Sequence, residues 1–354
     1  MHDQSRSPSL PGASAHGQRE LWLDVARGVT IMLVVLLHAD SMLNAIGQRS
    51  LEVHMATLAL TPLRMPLFFL VSGILGAAML ARPARQVLTE RVAHFMWVWA
   101  VWTALGYGII GGVIFPLLGL HGVWGFFDPR LNPIQHLITS DSWAWFLYAL
   151  ALFFATALAL RGLPPLLHLG IALLLALPGM FKLGEAIGAG VIDRFYHYPY
   201  FVLGVIAGGW LRRVAVPRLG RGLIFLVLAG CWAVATAAAH KLGWLELRPA
   251  RFALSFVAVP AALAGAALVA HSRWSAPLRL VGTNTLVIYL LHAYLLRMLI
   301  ELERPDLLPL WGWAIVVVLG ATALSLALGP FLERVPGLMA LPGRRPRRTV
   351  AAAT

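Results

Sequence analysis

The sequence predicts an all-α, polytopic integral membrane protein of about ten transmembrane helices, with both its N- and C-termini in the cytoplasm. Of its 354 residues, 59% are hydrophobic and only 12% are charged, whereas soluble domains carry about 25% charged residues. The apolar residues form long unbroken runs that do not alternate at period two, so they predict helices and not the strands of a barrel. The lysine and arginine residues between the runs predict which side of the membrane each connection faces, because cytoplasmic loops carry an excess of them.

Ten apolar stretches are long enough, or nearly long enough, to cross a membrane. In chain order they cover residues 21–41, 60–80, 93–115, 142–160, 163–180, 197–211, 222–240, 251–270, 281–302 and 309–332. The sixth stretch is short and rich in glycine, so it is expected to be tilted or broken. The Gly- and Pro-containing turn at residues 161–165 makes the fourth and fifth helices antiparallel neighbours.

Basic residues favour one side of this layout. With a cytoplasmic N-terminus, 17 of the 28 lysine and arginine residues lie in inner segments, eight lie in outer segments, and Arg27, Arg64 and Arg297 fall within spans. Such an excess is typical of cytoplasmic loops. We therefore attribute the net charge of +13 to contact with anionic lipid and not to nucleic acid binding. The single cysteine, Cys231, cannot form an intramolecular disulfide.

The chain is interpreted as one membrane domain with two polar ends. Residues 1–18 are predicted to be a disordered cytoplasmic N-terminus, residues 19–335 the transmembrane domain, and residues 336–354 a basic, disordered cytoplasmic tail. The longest connection, residues 116–141, contains two histidines, His121 and His136, and could cap a site on the outer face.

The first apolar stretch carries three ionisable residues, Asp24, Arg27 and His38, where the membrane makes such groups costly. Eleven helical steps bring Arg27 and His38 to within about 20° of one face and separate them by ~16 Å along the axis. Either the two residues reach the two interfaces, with Arg27 paired to Asp24, or they line a buried polar path. In the second interpretation His38 is a general base for an acceptor hydroxyl, and Arg27 holds a phosphate or carboxylate of a donor.

The second stretch places Arg64 near the outer end of its span and a Ser72-Gly73 pair near its middle. Small residues of this kind usually serve helix packing. Arg64 either anchors the helix at the headgroups or binds substrate.

The ninth stretch has Thr285, Tyr289 and His292 at positions i, i+4 and i+7, which form one polar face. His292 either forms a hydrogen bond with a neighbouring helix or is a second imidazole in the same cavity as His38.

Together these residues resemble acyltransferase family 3, the bacterial membrane acyltransferases that modify cell-surface sugars. The Arg27-x10-His38 pair carries most of the resemblance. Four further stretches follow in the family's order: MPLFFLVSG at 65–73, WFLY at 145–148, YFVLG at 200–204 and IYLLH at 288–292. They extend over residues 19–332, and the ten-helix layout is also similar to that of the family.

The resemblance implies an enzyme of the bacterial inner membrane that moves an acyl group, acetyl in the first instance, from a cytoplasmic acyl-CoA to a hydroxyl of a cell-envelope sugar or polymer. Acetyl-CoA would be a co-substrate, and no permanently bound cofactor is expected. No metal is expected either, because the twelve histidines lack the spacing of a metal site. The implied partners are the acyl donor, the envelope sugar acceptor and the lipid bilayer, and no nucleic acid is expected. Assembly into a homo-oligomer is left open.

From the family pattern, Arg27 and His38 take the catalytic positions of the first helix. The other site residues are predicted from their chemistry and placement. The CoA-binding candidates are Arg82, Arg85, Arg91 and His94, and the substrate-binding candidates are Asp24, Arg64, Tyr289 and His292.

One stretch departs from the family. An Arg-x-x-Arg pair often precedes the third helix, but the aligned residues 91–94 read RVAH, and a literal RPAR lies earlier, at 82–85. Either the donor site is built differently, or the chain belongs to a subfamily whose donor or activity differs. A transporter or exporter of a small molecule or lipid-linked precursor stays open as the alternative function, as does a catalytically silent partner subunit.

Overall fold

The computed structural model describes residues 20–119, 143–214 and 221–343. Every regular element in these ranges is helical, in agreement with the predicted class. The principal helices are α1 (Leu21–Ala45), α2 (Leu51–Ala59), α3 (Thr61–Leu80), α4 (Ala84–Leu117), α5 (Trp145–Ala159), α6 (Pro165–Met180), α7 (Tyr198–Val214), α8 (Arg221–Lys241), α9 (Arg248–Val269), α10 (Ala276–Thr283), α11 (Thr285–Leu299) and α12 (Leu310–Leu332). Short helical turns at Leu183–Ala186 and Ile192–His197 connect α6 to α7.

Within the described ranges, six helices are long and apolar enough to cross a membrane: α1, α3, α4, α8, α9 and α12. The pair α10 and α11 adds a seventh if it is counted as one bent span. Helices α5 and α6 are apolar but shorter, and α7 has 17 residues. Each of the ten predicted stretches thus coincides with a helix or a helix pair, and the protein is a multi-pass membrane protein.

The predicted ninth span, residues 281–302, is wrong as a single straight helix. Helix α10 ends at Thr283, α11 begins at Thr285, and their axes differ by 79°. The side chains of Thr283 and Asn284 donate hydrogen bonds to the carbonyl of Leu280, at 2.9 and 2.8 Å. Such local side-chain bonds compete with the continuation of a helix, and the span itself therefore starts at Thr285.

Helix α4 also differs from the predicted third span, because it begins at Ala84 and not at residue 93. It contains two π-helical segments, Leu88–Val92 and Leu105–Ile114. As a result Arg85 and Arg91, which were expected in a loop, lie on the first turns of this helix.

Helix α1 lies at the centre of the bundle, in contact with α3, α9, α10, α11 and α12. Its backbone touches that of α10, because a Cβ atom on Gly282 would overlap the carbonyl oxygen of Asp24 and one on Gly28 would overlap that of Leu278. Glycine allows such close approach of two helices. Helices α3 and α7 approach each other in the same way, because a Cβ atom on Gly73 would overlap the carbonyl oxygen of Phe201 and one on Gly204 would overlap that of Leu70.

The chain turns back into the bundle after α12. Trp97 and Trp102 of α4 donate their indole N–H groups to the carbonyls of Gly337 and Leu338, at 2.7 and 2.9 Å, and the next two residues are buried. Backbone groups in apolar surroundings require such partners. The tail that was predicted to begin at residue 336 is therefore packed against α4 at 337–340, and residues 1–19, 120–142 and 344–354, with the predicted polar ends and the capping loop, lie outside the described residues.

Candidate functional site

Arg27 is fixed where α10 meets α11. Its Nη2 donates a hydrogen bond to Oγ1 of Thr285, the first residue of α11, at 2.6 Å, and its Nη1 lies 3.9 Å from Oδ1 of Asp24. Asp24 is buried, whereas 26% of the Arg27 side chain is exposed. The guanidinium is therefore oriented by two partners and still presents part of its surface to a ligand. We call this end of the bundle the Arg27 end.

His38 lies beside His292, with ring centroids 5.1 Å apart and ring planes inclined by 37°. Nδ1 of His292 lies 3.0 Å from the carbonyl oxygen of Ile288 and 2.7 Å from that of Tyr289. Since carbonyl oxygens only accept, Nδ1 carries the proton and Nε2 carries a lone pair. Nε2 is buried and has no hydrogen-bond partner in the described part of the chain. The pair thus provides a buried basic nitrogen next to a second imidazole, an arrangement that can accept and pass on a proton. We call this the His38 end.

The two polar residues of α1 face the same neighbouring helix. Arg27 contacts Thr285 and His38 contacts His292, both on α11. Because α1 is a continuous helix, the eleven residues between Arg27 and His38 correspond to ~16 Å. Arg27 and His38 therefore mark the two polar ends of one seam between α1 and α11, whose middle is lined on α1 by the buried side chains of Ile31 and Val34.

Tyr289 lies on the same face of α11, and its hydroxyl is engaged with the backbone. It donates to the carbonyl of Trp143 at 2.9 Å and accepts from the N–H of Phe146 at 3.1 Å. The structure thus places this predicted substrate-binding residue at the start of α5, where it positions the residues around Trp145.

Arg64 lies in the first turn of α3, at the His38 end, and only 7% of it is exposed. Its charge acts on both His38 and His197. Nη1 of Arg64 is buried without a hydrogen-bond partner in the described residues. A buried guanidinium in this state is costly unless a ligand completes its coordination.

Aromatic rings surround His197, a residue that the sequence did not single out. Its ring centroid lies 5.2 Å from that of Phe69 and 5.8 Å from that of Trp145, in stacked orientations. The guanidinium of Arg194 lies 4.9 Å from the centroid of Trp145. The only available signal in the sequence is that Arg194 lies just before the sixth apolar stretch and that His197 is its first residue.

The predicted CoA-binding residues lie after α3 and along the first turns of α4. Arg82 and Arg85 are exposed, the guanidinium of Arg91 lies 5.9 Å from the centroid of Phe154, and His94 packs beside Phe95.

This region belongs to the Arg27 end. Arg212 of α7 contacts both Glu20, just before α1, at 2.9 Å and the carbonyl of Ile74, in the second half of α3, at 3.2 Å. The turn after α3 and the start of α1 are therefore at the same end of the bundle.

A second polar cluster joins α2 to α1. Oδ2 of Asp40 accepts a hydrogen bond from Oγ1 of Thr57 at 2.9 Å and lies 3.1 Å from Nδ1 of His54. Asp40 is two residues after His38, so its side chain leaves α1 on nearly the opposite side. The cluster fixes α2 and is separate from the imidazole pair.

Comparison with known proteins gives one match. The family described as Acyltransferase domain matches residues 20–329, which include α1 through most of α12 and every residue of the candidate site. Neither the curated proteins nor the solved structures include a significant match. Among the described residues, no group of three or more His, Cys, Asp or Glu side chains is placed to hold a metal ion.

Proposed function

The chain belongs to this acyltransferase family, and from that membership we propose that it transfers an acetyl group from acetyl-CoA to a hydroxyl of a cell-envelope sugar or polymer. We place it in the bacterial inner membrane, with ten spans and both termini in the cytoplasm. This orientation is supported by the distribution of lysine and arginine, since 17 of the 28 lie in the segments that it places in the cytoplasm and eight in the outer ones. The coincidence of the ten apolar stretches with helices supports the number of spans.

In this orientation the Arg27 end faces the cytoplasm and receives the donor. Arg27 binds a CoA phosphate, and Asp24, which lies beside it, orients the guanidinium and does not contact the acceptor. Four more basic residues at this end assist with the phosphates: Arg82, Arg85, Arg91 and His94. The pantetheine arm then extends along the seam between α1 and α11 and covers the ~16 Å to His38.

The reaction takes place at the His38 end. His38 removes the proton from the acceptor hydroxyl, and the acceptor oxygen forms a bond to the acyl carbon. The carbon–sulfur bond breaks, and the CoA thiolate leaves and takes up the proton. The observation that carries this proposal is the His38–His292 pair, in which the lone pair on Nε2 of His292 is buried without a partner. Such a nitrogen can hold the proton during the transfer.

Transfer of radiolabel from acetyl-CoA to an envelope sugar fraction, by the purified protein in lipid nanodiscs, tests the proposal. We expect His38→Ala to lower the rate roughly 10²–10⁴-fold. His240→Ala is the matched control, because His240 is exposed at the end of α8. Transfer by His38→Ala at the wild-type rate would show that His38 is not the base. Movement of an intact solute across the membrane without acyl transfer would favour the transporter alternative.

A further inference from the structure

Arg64 is a buried cation at the His38 end whose coordination is incomplete and which, unlike the buried Arg297 with its partner Glu301, has no carboxylate partner among the described residues. It is 7% exposed, and its Nη1 has no hydrogen-bond acceptor in the described residues. A buried guanidinium is usually matched by a carboxylate or a phosphate, with which its fork of N–H groups forms paired hydrogen bonds. Among the described residues, no carboxylate forms an ion pair with Arg64.

Two other arginines whose charges act on this region already have carboxylate partners. The charge of Arg251 acts on Arg64, and Arg251 itself is paired with Glu246 at 3.1 Å. Arg248, whose charge acts on the neighbouring His197, is paired with Glu185 at 2.7 Å. Arg251 and Arg248 thus have carboxylate partners of their own, whereas Arg64 has none among the described residues.

The surroundings of Arg64 suit a sugar ring. His197 stacks against both Phe69 and Trp145. Phe69 is fully buried, so the accessible part of this aromatic cluster belongs to His197 and Trp145. His197 and Trp145 are only partly buried, so the cluster is open to a ligand. The charge of Arg64 also acts on the proposed base, His38, and α3, which carries Arg64, packs against α1.

We propose that Arg64 binds an anionic group of the acceptor, a carboxylate or a phosphate, so that the enzyme acts on acidic sugars in preference to neutral ones. The inference rests on the proposed function, because it names the class of acceptor for the same site. An acidic sugar held by Arg64 lies against the aromatic rings and presents a hydroxyl toward His38.

Binding to the purified full-length protein in nanodiscs tests this without acyl chemistry. The probes are D-glucuronate, D-glucose 1-phosphate and D-glucose, measured by calorimetry. We expect at least one of the two acidic sugars to bind at least tenfold more tightly than D-glucose, and the comparison of the two identifies carboxylate or phosphate as the preferred group. Arg64→Gln is expected to abolish the difference. Arg49→Gln, which removes an exposed arginine from the turn after α1, is expected to preserve it.

Thermal unfolding separates binding from a structural role. Since Arg64→Gln removes an incompletely coordinated buried charge, we expect its Tm without ligand to equal or exceed that of the wild type. The acidic sugar should raise the Tm of the wild type only. Equal affinity for D-glucose, retained preference in Arg64→Gln, or a lower Tm of that variant would each overturn the inference.

The two proposals fail in different ways. Tight binding of an acidic sugar without transfer from acetyl-CoA would refute the proposed reaction and retain the role of Arg64. Equal transfer to neutral and acidic sugars would retain the reaction and refute the role of Arg64.

Discussion

Replacing His292 by asparagine tests the imidazole pair directly. In the wild type, Nδ1 donates to the carbonyls of Ile288 and Tyr289, and Nε2 is free to take a proton. The amide nitrogen of asparagine can occupy the position of Nδ1 and keep a bond to the helix backbone. Asparagine has no atom at the position of Nε2 and does not titrate. The substitution therefore removes the proton acceptor beside His38 and keeps most of the local helix geometry.

The magnitude follows from this difference. Loss of a positioned general base lowers a rate by roughly 10²–10⁴-fold, which corresponds to about 3–5 kcal/mol of transition-state stabilisation. The lost contact with the ring of His38 should cost at most about 2 kcal/mol of folding free energy. We therefore expect kcat for acetyl transfer to fall by at least about a hundredfold. KM for acetyl-CoA should change little, because the CoA phosphates bind at the Arg27 end, ~16 Å away along α1.

The assay is single-turnover and steady-state transfer of labelled acetyl groups in nanodiscs, with the Tm measured on the same preparations. His240→Asn makes the same exchange at an exposed site and should leave kcat unchanged. A His292→Asn protein that folds and retains more than about a tenth of the wild-type kcat would contradict the assignment, because no base-dependent step would then involve Nε2.

Three further predictions concern the scaffold. Tyr289→Phe removes a hydroxyl that serves two buried backbone groups, and it should lower the free energy of unfolding by roughly 1–3 kcal/mol, seen as a lower Tm. Gly282→Ala places a Cβ on the carbonyl of Asp24, so we expect α1 and α10 to separate and the yield of folded protein to fall. Burial alone would raise the pKa of Glu185, but its hydrogen bond with Arg248 and the charge of Arg248 lower it. Glu185→Gln should therefore lower the Tm at pH 7, an effect present above the unfolded pKa of about 4.3 and lost as the pH falls through the lower folded value.

Each of these has its own control. Gly230→Ala, on a helix with open space around the new methyl group, should be tolerated, and equal damage at both glycines would argue against the contact between α1 and α10. A Tyr289→Phe protein as stable as the wild type would show that the hydroxyl bonds to α5 contribute little. If Glu185→Gln lowered the Tm equally at pH 7 and pH 3, the ion pair with Arg248 would not be the cause.

The sequence was sufficient for the fold class and for the polar stripe on α1, because both depend on periodicity and composition. Long apolar runs permit only helices in a membrane, and the eleven-residue spacing of Arg27 and His38 fixes their common face. Both residues do contact α11.

Other features depend on contacts that no local pattern reveals. The break at Asn284 arises from two side-chain bonds to one carbonyl, within a stretch that remains apolar enough to span. His197 is a single histidine at the start of a short predicted span, and its position in the site depends on its contacts with rings on α3 and α5. Residues 337–340 were predicted to belong to a disordered tail, and they are held by two tryptophans more than two hundred residues earlier.

That last contact constrains how the protein is made. Trp97 and Trp102 precede their backbone acceptors by 240 and 236 residues. At synthesis rates of about 5–20 residues per second, the two indole donors enter the membrane roughly ten to fifty seconds before their acceptors exist. During that interval their N–H groups need water or lipid headgroups as temporary partners. Docking of residues 337–340 is thus a late event of biogenesis, and the bundle reaches its final packing only after its last span has been inserted.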